Sequence, residues 1–98
     1  MSDWYTDDVR ELFEAVLSLR DAEECRGFFQ DVCTVKELIE MSQRLKVAKL
    51  LDGGANYTAI NRETGVSTAT ISRVSHCLDY GSGGYKTVIG RLKKERET

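Results

Sequence analysis

The sequence of 98 residues contains no proline. Proline interrupts helices, and the helix-forming residues Leu, Glu, Lys and Arg are common here, so the composition favours long, unbroken helices. No apolar run approaches the roughly 18 residues of a membrane-spanning helix. The polar and acidic residues 1–8 are also unlike a secretory signal peptide. The sequence therefore predicts a cytoplasmic, all-α protein with one domain, residues 1–98, and no membrane partner.

Cysteine and histidine are too few for a disulfide framework or a metal centre. Cys25, Cys33 and Cys77 are an odd number of cysteines without CxxC spacing. We expect three reduced thiols that pack as small apolar side chains. His76 is the only histidine, and no Ser–His–Asp or Cys–His arrangement is evident. The sequence therefore predicts no metal, no cofactor and no enzymatic activity.

The charge is distributed unevenly along the chain. The formal net charge is −2, which is unusual for a protein that binds nucleic acid. However, residues 1–43 carry 11 acidic and 4 basic side chains, whereas residues 44–98 carry 5 acidic and 10 basic ones. A basic half can face phosphates while an acidic half faces away from them. A solvated acidic helix beside a basic tail would give the same distribution.

Six helical segments are indicated by capping residues and by apolar spacing. The first runs from a cap at Thr6 to about Arg20, and the second starts from a cap at Asp21 and has apolar members from Ala22 to Val32. The others run from Thr34 to about Asp52, from about Tyr57 to Thr64, from about Thr68 to Asp79, and from Tyr85 to about Glu95. We expect residues 6–54 to form a helical dimerisation part, residues 56–79 a DNA-binding part, and residues 85–96 a C-terminal helix.

The third helix is apolar around most of its circumference. A surface helix confines its apolar residues to one stripe. In so short a chain, a second subunit could cover the additional face, and this pattern favours a homodimer.

The segment Asn56–Leu78 has the spacing of a helix-turn-helix. Gly65 stands where the chain must reverse tightly, and glycine tolerates a positive φ. Ile60, Val66, Ile71 and Val74 lie five residues before and one, six and nine residues after this glycine, where they can wedge two short crossed helices together. The sequence therefore predicts two packed helices joined by a turn at Gly65.

The second helix of this pair begins with small, polar residues. Ser67 can cap it, and Thr68, Ala69, Thr70 and Ser72 lie on the outward side of its N-terminal turns, the part that enters the major groove in this motif. A surface for protein partners would more often carry large apolar anchors. The alternative is that this segment is an ordinary helical hairpin without a DNA-binding role. The protein would then be a protein–protein interaction module with a degenerate helix-turn-helix.

The run from Thr34 to Leu78 resembles the Trp repressor-like family, and within it the YerC/YecD group. The segment GVSTATISR carries most of the resemblance. The matching residues are Thr34, Glu37, Arg44, Leu50, Leu51, Gly53, Gly65, Ala69, Thr70, Ile71, Arg73, Ser75 and Leu78. The resemblance implies a six-helix fold, an intertwined dimer, and two recognition helices that meet successive major grooves of a palindromic site in double-stranded DNA.

The resemblance also implies which residues face DNA. They are Tyr57, Thr58 and Asn61 on the first helix of the motif, with Ser67, Thr68, Ala69, Thr70 and Ser72 on the second. Thr58 and Ser67 would bind phosphates, and Thr68, Ala69 and Thr70 would face base edges. None of these side chains grips guanine in a bidentate manner, so we expect weak direct readout supported by water and DNA shape.

An effector pocket is implied at Thr34, Arg44, Arg73, Val74 and Cys77. The two arginines match those that flank bound tryptophan in the Trp repressor. Val74, however, replaces a glycine that leaves room for the ligand, and Cys77 replaces a serine that can bind its amino group. We therefore expect that tryptophan is not the corepressor, and the identity of any small-molecule corepressor stays open. Arg44 and Arg73 could instead contact phosphates or form salt bridges.

The sequence predicts a homodimeric transcriptional regulator that acts as a repressor.

Overall fold

The computed structural model describes residues 4–97, and these residues form six helices and no strand. The all-α, six-helix prediction is therefore confirmed. The helices are α1 (Asp7–Leu17), α2 (Ala22–Val32), α3 (Val35–Asp52), α4 (Tyr57–Thr64), α5 (Thr68–Tyr80) and α6 (Gly84–Glu97). Residues 1–3 and 98, the ends of the predicted domain, lie outside the described residues.

The helix starts follow from the capping residues. The side chains of Thr6 and Asp21 accept hydrogen bonds from the third residue beyond them, at 3.2 and 2.8 Å. At the start of α3, Thr34 and Glu37 form the predicted capping box: the Thr34 amide donates to Glu37 Oε1 at 2.8 Å, and the Glu37 amide donates to Thr34 Oγ1 at 3.1 Å. The hydrogen bond from the Thr34 amide, and then the interaction with the Thr34 side chain, lower the pKa of the Glu37 carboxyl.

The first helix ends earlier than predicted, at Leu17 rather than near Arg20. The hydroxyl of Ser18 donates to the carbonyl of Ala15 at 2.6 Å and satisfies one of the last carbonyls of α1. The amide of Arg20 donates to Glu24 Oε1 at 2.9 Å, so it belongs to the cap of α2. The competing cap of the second helix therefore stops the first.

Contacts divide the chain into two units, one up to Leu38 and one from Ile39, with the boundary inside α3. In the first unit, α1 and α2 contain no buried residue. Several of their large apolar side chains are exposed, including Leu17 at 83%, as is Val35 of α3 at 66%. That residues 1–98 form a single domain, with a dimerisation part and a DNA-binding part, stays a prediction.

The second unit has its own hydrophobic core. Eight buried residues from α3 to α6 form it, with partly buried apolar side chains around them. The buried members are Val47, Ala48, Ile60, Val66, Ile71, Val74, Leu78 and Ile89. Since five of them lie between α4 and the end of α5, the core holds this helix pair in a fixed position.

An ion-pair cluster joins the end of α3 to α6. The carboxylate of Asp52 lies 3.1 Å from Lys86 Nζ and 2.8 Å from Lys93 Nζ. The hydrogen bond from Lys93, and then that from Lys86, lower the pKa of Asp52. The two lysines are two helical turns apart, and the buried Ile89 lies between them in the sequence. The charged contacts therefore flank the apolar contact that anchors α6.

The three cysteines are free thiols, but the prediction that they pack as buried side chains is wrong. Cys25 and Cys77 are exposed, and Cys33 is half-buried.

Among residues 4–97, no helix combines the length and the apolar character that a membrane span requires.

Candidate nucleic-acid interface

The turn between α4 and α5 is built around Gly65, which has φ +73° and the left-handed conformation that the sequence predicts. Its amide donates to the Asn61 carbonyl at 2.8 Å and closes α4. The hydroxyl of Thr64 donates to the Ile60 carbonyl at 2.7 Å and accepts from the Val66 amide at 3.1 Å. The polar groups of this turn are thus satisfied locally, which fixes the direction in which α5 leaves it.

The wedge between the two helices also forms as predicted. Ile60 and Ile71 are fully buried, and Val66 and Val74 are nearly so. These side chains come from α4, the turn and α5, and they belong to one core cluster. Because a packed interior resists displacement, this contact holds α5 rigidly against α4.

The start of α5 is open to solvent. Thr68, Ala69 and Ser72 are exposed, and Thr70 is half-buried. Ser67 is the N-cap: its hydroxyl accepts from the Thr70 amide at 3.2 Å and donates to Thr70 Oγ1 at 3.1 Å. A short polar surface is therefore presented at the outward end of a well-held helix.

The predicted residues of α4 lie on its surface as well. Tyr57, Thr58 and Asn61 are exposed, and Asn56 caps the helix by accepting from the Ala59 amide at 2.8 Å. Asn61 has a role that was not predicted from the sequence: its side-chain Nδ2 donates to the Val66 carbonyl at 2.8 Å. An asparagine five residues before a turn carbonyl gives no local signal of this bond, because it depends on how the turn folds back.

A cavity of about 560 Å³ opens beside the start of α5. Arg44, Arg73, Val74 and Cys77, four of the five predicted pocket residues, line it together with Ser67 and Thr70. Thr34, the fifth, belongs to the first unit, where it caps α3. Tyr85, which was not predicted as a pocket residue, reaches the cavity from α6. Its position depends on the packing of α6, which residue spacing does not show.

The two arginines of the cavity have no ionic partner among the described residues. Arg44 and Arg73 are both exposed, and neither takes part in a salt bridge. Glu40 lines the same cavity and precedes Arg44 by one helical turn, a spacing at which ion pairs form, yet this pair is not made. Val74 is only 2% exposed, so its branched side chain is part of the wall.

These features define an all-helical protein with a helix-turn-helix. The chain belongs to the Trp repressor family, a family of DNA-binding regulators: the family described as Trp repressor protein matches residues 7–93. The Bacillus subtilis protein YerC, described as uncharacterised, is 50% identical over 91 residues, which cover 93% of this chain and 86% of YerC.

Two solved structures resemble the chain over nearly its whole length. One is a TrpR-like protein from Eubacterium eligens, with a TM-score of 0.87 and 49% identity over 91% of this chain and 92% of that one. The other is a Trp repressor candidate from Staphylococcus aureus, with a TM-score of 0.87 and 44% identity over 92% of this chain and 90% of that one. The family suggested by the sequence motif is therefore confirmed.

Proposed function

We propose that this protein is a homodimeric, sequence-specific transcriptional repressor that reads a palindromic site in double-stranded DNA. The observation that carries the proposal is the exposed, polar start of α5, held against α4 by the Gly65 turn and a buried wedge. Occupation of a promoter by such a dimer blocks access to it, and no chemical step is required. A regulator of this kind works in the cytoplasm, where bacterial DNA lies.

The residues of the interface divide by role. Thr58 and Ser67 bind phosphates and fix the register on the duplex. Thr68, Ala69 and Thr70 face base edges, where a threonine or alanine methyl can contact the methyl group of thymine. Tyr57, Asn61 and Ser72 complete the surface. Because none of these side chains is a cation that can contact guanine through two hydrogen bonds, sequence preference also depends on water-mediated contacts and on DNA shape.

Dimerisation is supported by the apolar surface of the first unit. Leu12, Phe13, Leu17, Val32 and Val35 are all exposed, although soluble monomers rarely leave such a concentration of large apolar groups in water. A second copy of the chain that intertwines with this unit would bury them. A twofold-symmetric dimer presents two α5 helices, which is why a palindromic site is expected.

Tryptophan is a poor fit to the cavity beside α5. The buried side chain of Val74 occupies part of the wall, and the thiol of Cys77 is a weak partner for an amino group. We therefore propose that tryptophan is not the corepressor. Calorimetric titration of the protein with tryptophan should show no binding in the micromolar range, and a micromolar Kd would contradict this proposal.

The DNA-binding proposal is tested with duplexes that the protein selects from a random pool. The double variant Thr68→Ala, Thr70→Ala should bind the selected duplex more weakly but a scrambled duplex equally well, because it removes base contacts and leaves phosphate contacts in place. Thr87→Ala, an exposed change on α6, is the matched control and should change neither affinity. Wild-type protein that binds no DNA at low salt would refute the function and favour a protein–protein interaction module.

A further inference from the structure

Two guanidinium groups lie beside the proposed DNA-reading surface without a salt-bridge partner among the described residues. Arg44 of α3 and Arg73 of α5 line one cavity with Ser67 and Thr70, whose hydroxyls lie at the start of α5. Among residues 4–97, the one carboxylate that lines the same cavity belongs to Glu40, and it pairs with neither arginine. The cavity therefore carries two cationic side chains and one anionic side chain. The guanidinium N–H groups of the two arginines are free to donate hydrogen bonds to a ligand.

The chemistry of this arrangement suits an oxyanion. Each guanidinium presents several N–H donors in a planar fork that matches the oxygen spacing of a phosphate. An arginine that served only the fold would be expected to pair with the nearby carboxylate, and both arginines instead stay exposed. The anion that approaches this face of a DNA-binding protein in greatest number is the phosphate of the DNA backbone.

We propose that Arg44 and Arg73 bind the DNA backbone at the mouth of this cavity, so that the protein binds DNA without any small-molecule corepressor. This proposal rests on the DNA-binding function proposed above. It assigns the two arginines to phosphate contact, and it assigns the remaining cavity, which Val74 and Tyr85 help to line, no small-molecule corepressor. The contact strengthens binding to every sequence equally, since phosphates carry no base identity.

The test is the salt dependence of DNA affinity. The logarithm of the binding constant falls with the logarithm of the salt concentration with a slope of about −0.9 per phosphate neutralised. Each arginine occurs twice in a homodimer, so Arg44→Gln and Arg73→Gln should each reduce the magnitude of the slope by about 1.8. The reduction should be the same on the selected and the scrambled duplex. Affinity is measured by fluorescence anisotropy between about 50 and about 200 mM KCl.

Arg10→Gln is the matched control. It removes the same charge from the first unit, where Arg10 is paired with Asp7 at 3.2 Å, and it should leave the slope at the wild-type value. Circular dichroism checks that each variant is folded. An unchanged slope for either cavity variant overturns the proposal, while a wild-type protein with no salt-dependent DNA binding overturns the DNA-binding function itself.

A second measurement addresses the corepressor. Protein that has been unfolded in guanidinium chloride, dialysed in the denaturant and then refolded has lost any non-covalently bound small molecule. It should bind the selected duplex with the Kd of the original preparation, and added tryptophan should not change that Kd. A weaker Kd for refolded protein with a native circular dichroism spectrum would contradict ligand-independent binding.

Discussion

Substitutions at Gly65 should destabilise the fold through the backbone alone. The residue has φ +73°, and a Cβ built at this position has no heavy atom within 4 Å, so the Cβ of alanine meets no steric barrier. An L-residue in the left-handed conformation costs about 1–2 kcal/mol. The smaller entropy of the unfolded alanine chain returns about 0.4–1 kcal/mol of this. We expect Gly65→Ala to lower the free energy of unfolding by about 1 kcal/mol.

A series at the same position separates this backbone effect from other causes. Gly65→Asn should cost less than Gly65→Ala, because asparagine tolerates the left-handed region, and Gly65→Val should cost most, because β-branching disfavours it. Urea unfolding at one fixed protein concentration is the appropriate assay, because the stability of a dimer depends on concentration. For a chain of this length, about 1 kcal/mol corresponds to a change in Tm of roughly 4–8 °C.

The order in which the three Gly65 variants lose stability shows whether φ or side-chain contacts cause the loss. If asparagine destabilised as much as valine, the cost would have to come from contacts of the side chain rather than from φ. If alanine, asparagine and valine were all neutral, the left-handed turn would not be required by the fold, and the presentation of α5 would need another explanation.

Three further predictions concern other parts of the second unit. Ile71→Ala, at a fully buried position of the wedge, should cost about 2–5 kcal/mol in urea unfolding. Asn56→Ala removes the cap of α4 and should cost about 1 kcal/mol in the same assay. The pKa of Asp52 is lowered from its ordinary value near 3.8, so its ion pairs with Lys86 and Lys93 stabilise the fold above that pH and are lost as the pH falls through the lowered value. Asp52→Asn should therefore flatten the acid limb of the stability profile, and an unaltered limb would show that the pairs contribute nothing.

The helix starts could be predicted because they depend on neighbouring residues. Caps at Thr6, Asp21 and Asn56, and the capping box at Thr34, satisfy amides only three residues away, so the pattern is visible in the sequence. The helix-turn-helix was equally accessible, since the left-handed turn needs Gly65 and its wedge follows a fixed spacing.

Other features could not be predicted because they depend on distant parts of the fold. Tyr85 reaches the cavity only because α6 packs on the core of the second unit, and no local pattern links it to Arg44. The exposure of Cys25 and Cys77 contradicts the general tendency of free cysteine to be buried. Asn61 has the polar, exposed character that suggested a DNA contact, but its bond to the Val66 carbonyl shows that part of its donor capacity serves the turn.

The central claim is that a twofold-symmetric pair of α5 helices reads DNA. Selection of bound duplexes from a random pool with the purified full chain tests it most directly. The account predicts an enriched palindrome whose half-sites are about one helical turn apart, or a multiple of it, protected on one face of the duplex. Enrichment of a sequence without twofold symmetry, or no enrichment at all, would contradict it.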